Sequence, residues 1–264
     1  MMIIVLFFIY GLVFGSFANV IISRMHSSEK IFLSWSHCPK CKQKINWRDN
    51  IPLLSFALLR GKCRNCKKKI SWQYPIVELS VALIFAFVGY LCSVGAVGFM
   101  VAVLQALVFL CFVIIFVYDV KYMEIPMSVM WLSIVFLFII NILIDIDNGI
   151  FVISFWDSHF FLYSLSAFVA FSFFFGLSYI SDEKWMGYGD AFVAIAIGLM
   201  LGPIGTFLAL MVGFCVGAFV GLILVILGGK TMKTAVPFGP FLLFGLFIIF
   251  VIQNLWPSFI DLFI

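Results

Sequence analysis

The amino-acid sequence predicts an all-α polytopic membrane protein: about eight transmembrane helices, with a small cysteine-bearing cytoplasmic insert between the first two. Three observations predict it. The 264 residues are 65% hydrophobic and 19% aromatic, with a mean hydropathy of +1.22, more apolar surface than a soluble domain of this size can hide. Uncharged runs of roughly 18 or more residues, the length that spans a bilayer as a helix, recur along the chain. Basic residues are crowded into one segment, with 12 of the 16 Lys and Arg between Arg24 and Lys69.

The apolar runs fall at 2–22, 75–94, 97–118, 126–146, 157–180, 190–201, 204–227 and 238–256. The first has no basic flank before it and no small-residue cleavage site, so it reads as a retained helix. The sixth is short, but extends toward Gly202-Pro203, which marks a turn before the seventh. Three domains follow: residues 1–22 as the first helix, 23–74 as a double-CxxC domain, and 75–264 as the membrane-embedded remainder. With the N-terminus outside and eight spans, Lys121, Lys184, Lys230 and Lys233 join the other basic residues on the cytoplasmic side. The opposite loops carry only Asp145, Asp147 and Asp157, with Asp261 in the tail. This is the distribution that orients membrane proteins with positive charge inside.

Residues 24–74 hold a net charge of +10 and the rest of the chain −6. A basic segment beside a membrane favours anionic headgroups, making lipid the expected partner. Nucleic acid is not expected, because no recognition helix or aromatic nucleic-acid motif accompanies the charge. Four of seven cysteines form two pairs, Cys38-Pro39-Lys40-Cys41 and Cys63-Arg64-Asn65-Cys66, separated by 21 residues. Two-residue spacing lets one tight turn present both sulfurs to a tetrahedral ion, and two such turns complete a four-thiolate zinc site. The alternative is a redox dithiol or a pair of disulfides, which the reducing cytosol disfavours. With all four positions filled by thiolates, the zinc is structural and leaves no coordination site for a reacting water. Cys92, Cys111 and Cys215 lie singly in apolar spans and read as packing residues.

Two aspartates border apolar spans: Asp119 at the end of the third and Asp190, in Gly187-Tyr188-Gly189-Asp190, at the start of the sixth. A carboxylate beside hydrocarbon is costly to ionise, so such residues face a cavity or a partner. The topology brings both to the cytoplasmic face. Two carboxyls a few ångströms apart cannot both ionise; they share a proton, and the ionised member can activate water while the neutral one donates to a peptide carbonyl. Gly187 and Gly189 supply bare backbone beside which an extended peptide has room to dock. Read singly, Asp119 could pair with Lys121 or cap a turn, and Asp190 could be the N-cap of its helix. Asp182, Glu183 and Glu124 read as solvated loop charges, and Asp145, Asp147 and Asp157 face the other side.

These blocks together resemble the type IV prepilin peptidases, membrane aspartyl peptidases of the GxGD class. The likeness runs nearly end to end: Gly11-Leu12-Val13-Phe14-Gly15-Ser16-Phe17-Ala18-Asn19-Val20 with Arg24, both CxxC pairs, Asp49-Asn50-Ile51-Pro52, Leu59-Arg60-Gly61-Lys62-Cys63, Tyr74-Pro75-Ile76-Val77-Glu78, Asp119, Ile125-Pro126, Gly187–Asp190 and Pro237-Phe238-Gly239-Pro240. The resemblance implies Asp119 and Asp190 as catalytic residues and residues 75–264 as the peptidase domain. Prepilins and pseudopilins would be the substrates, cut after a glycine where their short basic leader meets an apolar helix. It also implies N-methylation of the new N-terminus from S-adenosylmethionine, associated with the region matched by about 11–80. Glu78 is then a candidate for binding that donor, or a structural partner of Arg24 or Arg60. The chain departs from the family pattern at Met25-His26, where Leu-Pro is usual, and at Ala191-Phe192, where many members have Val-Lys.

Three other classes fit parts of the pattern: a peptidase without methyltransferase activity or one cutting within unrelated membrane helices, a proton-coupled transporter, and a non-catalytic assembly factor. Against the transporter, no inverted repeat and no matching pair of broken helices is visible.

Overall fold

The structure is a computed structural model and describes residues 1–27, 36–147, 149, 156, 158–184, 186–228, 236–256 and 258. Glu29, Lys30, Asp157, Lys230, Lys233 and Asp261 lie outside the described residues. Among those described there are eight α-helices and one 3-10 turn: α1 (Met2–Ser27), the turn Trp47–Asn50, α2 (Leu54–Leu58), α3 (Gln73–Ser93), α4 (Phe99–Tyr122), α5 (Met127–Asp147), α6 (His159–Ile180), α7 (Tyr188–Gly228) and α8 (Gly239–Leu255). Six are long and apolar enough to cross a membrane, and α8 is a shorter apolar helix. The chain divides into two compact units, Met1–Ile114 and Ile115–Ile264.

In the first unit α1 and α3 pack through small residues. A methyl group on Gly11 would lie 2.6 Å from Ala82 Cα, and one on Gly15 would lie 2.8 Å from Glu78 Cα. Four-residue spacing puts both glycines on one face of α1, and the buried Ala18 continues the stripe. In lipid, where apolar side chains gain little by leaving apolar solvent, such close backbone approach is what holds helices together. Part of the Gly11–Val20 block is therefore explained by packing.

The insert between α1 and α3 is an internal repeat. Cys-x-x-Cys-Lys-x-Lys-Ile-x-Trp stands at 38–47 and again at 63–72, and both copies fold alike. Cys38 N–H donates to Gln43 O and Cys63 N–H to Lys68 O, each at 2.9 Å. Lys42 (φ 60) and Lys67 (φ 56) take the same left-handed turn. Isolated antiparallel bridges, His37 with Lys44 and Lys62 with Lys69, close the two loops. Arg64 grips Asp49 with two hydrogen bonds, Nε to Oδ2 at 2.7 Å and Nη2 to Oδ1 at 2.6 Å, joining the second loop to the 3-10 turn. That guanidinium holds the Asp49 carboxyl below the usual carboxylate range.

In the second unit α7 is 41 residues long and departs from helical geometry at Gly202 (φ 68, ψ −172), just before Pro203. Its contacts with α6 show what happens there. Along α6, Tyr163, Ala167, Phe171 and Phe175 meet Gly202, Gly198, Phe192 and Tyr188 in turn. Ser166 and Phe174, however, meet Thr206 and Phe214. The first run descends and the second ascends, so the chain reverses at Gly202 and α7 is two antiparallel spans. Counted so, the apolar helices match the eight predicted runs. Backbone freed at such a break must be satisfied within the protein when lipid surrounds it. Asn141 donates to Leu199 O at 2.9 Å, Gln253 to Leu201 O at 3.1 Å and Thr206 to Gly202 O at 2.6 Å. At the same end of this unit Asp145, fully buried, accepts from the backbone N–H groups of His159 (2.8 Å) and Phe160 (2.9 Å). Expected as a loop acid, it caps the start of α6, with Ser158 accepting from Phe161 N–H.

Candidate active site

The opposite end of the second unit gathers the last turn of α4, the Met123–Pro126 turn, the start of α7 and the start of α8. Helix α4 ends at Tyr122, and Met123, in the left-handed region at φ 57, returns its N–H to Asp119 O at 2.8 Å. That cap fixes the backbone carrying Asp119. Asp190 lies in the first turn of α7 rather than at its N-cap. Its own N–H donates to Gly187 O at 3.2 Å, and its carboxylate sits at the positive end of the helix.

Gly239 measures how close the two carboxyls come. A methyl group there would lie 2.5 Å from Asp119 Oδ2 and 3.5 Å from Asp190 Oδ1. The two oxygens are therefore no farther apart than the sum of those distances. Both side chains are buried, 5% and 7% exposed. Lys121, the alternative partner of Asp119, instead holds its Nζ 5.0 Å from the centre of the Tyr122 ring. Glu124, Asp182 and Glu183 are exposed, as expected of loop charges.

The glycines divide in role. Neither Gly187 nor Gly189 adopts positive φ. Gly189 is small because Ile125 packs on it, with Cδ1 2.8 Å from where a Cβ would stand; the same Cδ1 is 3.5 Å from the corresponding point on Gly239. Gly187 is exposed, with nothing nearer than Gly189 N at 4.0 Å. Gly239 thus leaves the space that both carboxyls border, and Ile125 packs on Gly189 and beside Gly239. The same unit holds an apolar pocket of 410 Å³ whose lining includes Phe116, Val120, Met123, Pro237, Pro240 and Phe241. Val120 and Pro240 in that lining are the sequence neighbours of Asp119 and Gly239.

In the other unit the sulfurs of Cys38, Cys41, Cys63 and Cys66 all lie within 4.8 Å of one another. Sulfurs about 2.3 Å from one tetrahedral ion fall inside that spread, so the cluster fits a metal ion. Hydrogen bonds from the backbone of Cys66 and Asn65 lower the Cys63 thiol to about 7. At Cys41 the Gln43 backbone acts the same way but is outweighed by desolvation and the neighbouring sulfurs, giving about 11. Glu78, named from the sequence as a donor-binding candidate or a structural partner of Arg24 or Arg60, is buried on α3 and accepts the Leu53 N–H at 2.8 Å, with the Ser16 hydroxyl also bonded to it. Leu53 sits at φ 57, so this carboxylate clamps a strained turn of the insert onto α3.

Residues 9–92 match the sequence model of the bacterial peptidase A24 N-terminal domain, and residues 106–222 that of the type IV leader peptidase family. A prepilin leader peptidase/N-methyltransferase of Pectobacterium carotovorum subsp. carotovorum is 30% identical over 267 residues, covering 90% of this chain and 88% of that protein. The chain belongs to the type IV leader peptidase family. The Legionella pneumophila protein of the same name is 29% identical over 263 residues, 89% of this chain and 86% of its own. A Klebsiella pneumoniae namesake reaches 38% over 94 residues, 33% of this chain and 41% of that protein. No solved structure matches the chain. The four-cysteine cluster lies in the segment that the first family model matches, and Asp119 and Asp190 in the segment that the second matches.

Proposed function

We propose that this protein cleaves the basic leader from type IV prepilins and type II secretion pseudopilins at the cytoplasmic face of the bacterial inner membrane, using Asp119 and Asp190. The N-terminus is outside, and the cysteine insert and both aspartates are cytoplasmic. The observation that carries the reading is the pair of buried carboxyls on either side of Gly239. Confined together away from water, they hold one proton between them. The ionised carboxyl takes a proton from a water molecule as that water attacks the scissile carbonyl carbon. The neutral one gives its proton to the carbonyl oxygen, and collapse of the tetrahedral intermediate expels the leaving amine with a proton returned to it. The titration belongs to the pair, not to either residue. Gly187 leaves space for an extended strand, and the apolar cavity receives side chains beside the scissile bond.

Zinc bound by Cys38, Cys41, Cys63 and Cys66 staples an insert too small to hold its own core. N-methylation of the new N-terminus from S-adenosylmethionine accompanies cleavage in this reading; the relatives' names pair a leader peptidase with an N-methyltransferase. The Glu78 carboxylate is engaged by Leu53 and Ser16, and we assign it to the clamp; a peptidase without methylation is the second reading.

Co-expression with a prepilin bearing a basic leader tests the proposal. Wild-type enzyme shortens the substrate, whereas Asp119→Asn and Asp190→Asn accumulate normally and leave it intact. Processing by either variant at the wild-type rate would reject the assignment. Mass spectrometry of the mature product separates the two readings, because an N-methyl group adds about 14 daltons when the second activity is present. Metal analysis of wild type and Cys38→Ser should return zinc in the first and little in the second; equal near-zero values would reject the metal site.

A further inference from the structure

The insert carries a surface that neither the metal nor the aspartate pair uses. Between Ser36 and Trp72 there are ten Lys and Arg against one carboxylate, Asp49. All ten are exposed, and Asp49 is taken by Arg64. Large apolar side chains are exposed in the same segment: Trp47 is 74% exposed, Leu58 72%, Trp72 69% and Leu54 53%. An insert this small has little apolar surface to spare, and Leu54 with Leu58 leaves a continuous apolar strip of α2 uncovered. Leu54 and Leu58 are four residues apart on α2 and share one face. Phe56 packs against Trp72 with ring centroids 5.1 Å apart, tying α2 to the residue that immediately precedes α3. The Glu78 clamp on Leu53 fastens the same segment to α3 itself. The surface is thus fixed to the end of a membrane-spanning helix.

We propose that the insert rests against the cytoplasmic surface of the membrane, with its exposed Leu54 and Leu58 and its Trp side chains at the headgroup layer and its basic residues against anionic lipid. Charge complementarity selects that occupant. Anionic headgroups attract juxtamembrane Lys and Arg, and Trp settles at the interface. A basic peptide is repelled by the same cations. Attachment to spanning helices at both ends keeps the insert beside the bilayer, so a weak affinity suffices. Docking would hold the metal loops and the α1–α3 packing in one orientation relative to the bilayer.

Hydrogen exchange of the full-length zinc-loaded protein tests this in two nanodiscs, one of phosphatidylcholine alone and one with about 30% phosphatidylglycerol. Peptides covering 44–60 should exchange about threefold or more slowly in the anionic disc, and about 0.5 M NaCl should remove most of the difference. Trp47→Ser combined with Leu58→Ser should abolish the protection while α5–α8 exchange as before. If that pair of substitutions costs the bound metal, Lys62→Glu with Lys68→Glu serves instead and should also erase the lipid dependence. Equal exchange in the two discs overturns the proposal. So does protection that appears in the neutral disc only on adding a prepilin peptide, which would make the face a protein-docking surface.

Discussion

Replacing Gly239 by Ala is the sharpest perturbation the site allows, because the added atom has a known place. It would stand 2.5 Å from Asp119 Oδ2 and 3.5 Å from Asp190 Oδ1. Carbon and oxygen seldom approach closer than about 3.3 Å, so one partner must give by about 0.8 Å. The nearer atom is the end of a side chain, and turning that carboxyl is easier than moving α8. Stability should therefore change by less than about 1 kcal/mol, since Ala is also the better helix former. Catalysis should suffer far more: displacing a reacting group by that distance costs on the order of 100-fold. The assay is kcat/KM for a prepilin peptide in reconstituted vesicles, beside the melting temperature and metal content of the same preparations. A variant that folds, keeps its metal and retains kcat/KM to within about threefold would refute the reasoning, because the pair would then tolerate an intruding methyl.

Asp145→Ala removes the acceptor for two buried backbone N–H groups and should destabilise the protein by about 2–3 kcal/mol. Denaturant titration in micelles would show it, with turnover per folded molecule unchanged because the residue lies at the far end of the unit. The Asp49–Arg64 pair predicts a pH dependence. Its folded carboxyl lies below the unfolded value, so its contribution is present above the unfolded carboxylate pKa and is lost as pH falls through the folded one. Proteolysis of the insert should accordingly quicken at acid pH, and Asp49→Asn should show that quickened rate already at neutral pH. An acid response unaltered by Asp49→Asn would exclude this pair as its source.

Much of the membrane fold was legible because lipid leaves long uncharged runs, and the eight read from the sequence recur as helices. The reversal at Gly202 was also legible, from the glycine and proline together. The side chains that make it tolerable were not. Asn141, Thr206 and Gln253 look like stray polar residues until the broken backbone reveals three carbonyls to be satisfied. Asp145 is hidden for the same reason: the letters place it with the loop acids of the opposite side, and only the arrival of α6 shows it capping two amides. At the proposed active site the aspartates stand out by charge in an apolar setting. Ile125 and Gly239 carry no such signal, because their part is to occupy or vacate space. The ten-residue repeat in the insert is legible in the letters, because Lys, Ile and Trp recur with the cysteines at the same spacing.

The central claim is that Asp119 and Asp190 work as one unit on one water molecule, and a double-mutant cycle on purified enzyme tests it most directly. Groups that act together lose their function together. Asp119→Asn and Asp190→Asn should each lower kcat at least about 1,000-fold, and the double variant should fall no further than the worse single one. Losses that multiply, or near-normal turnover by either single variant, would contradict the account.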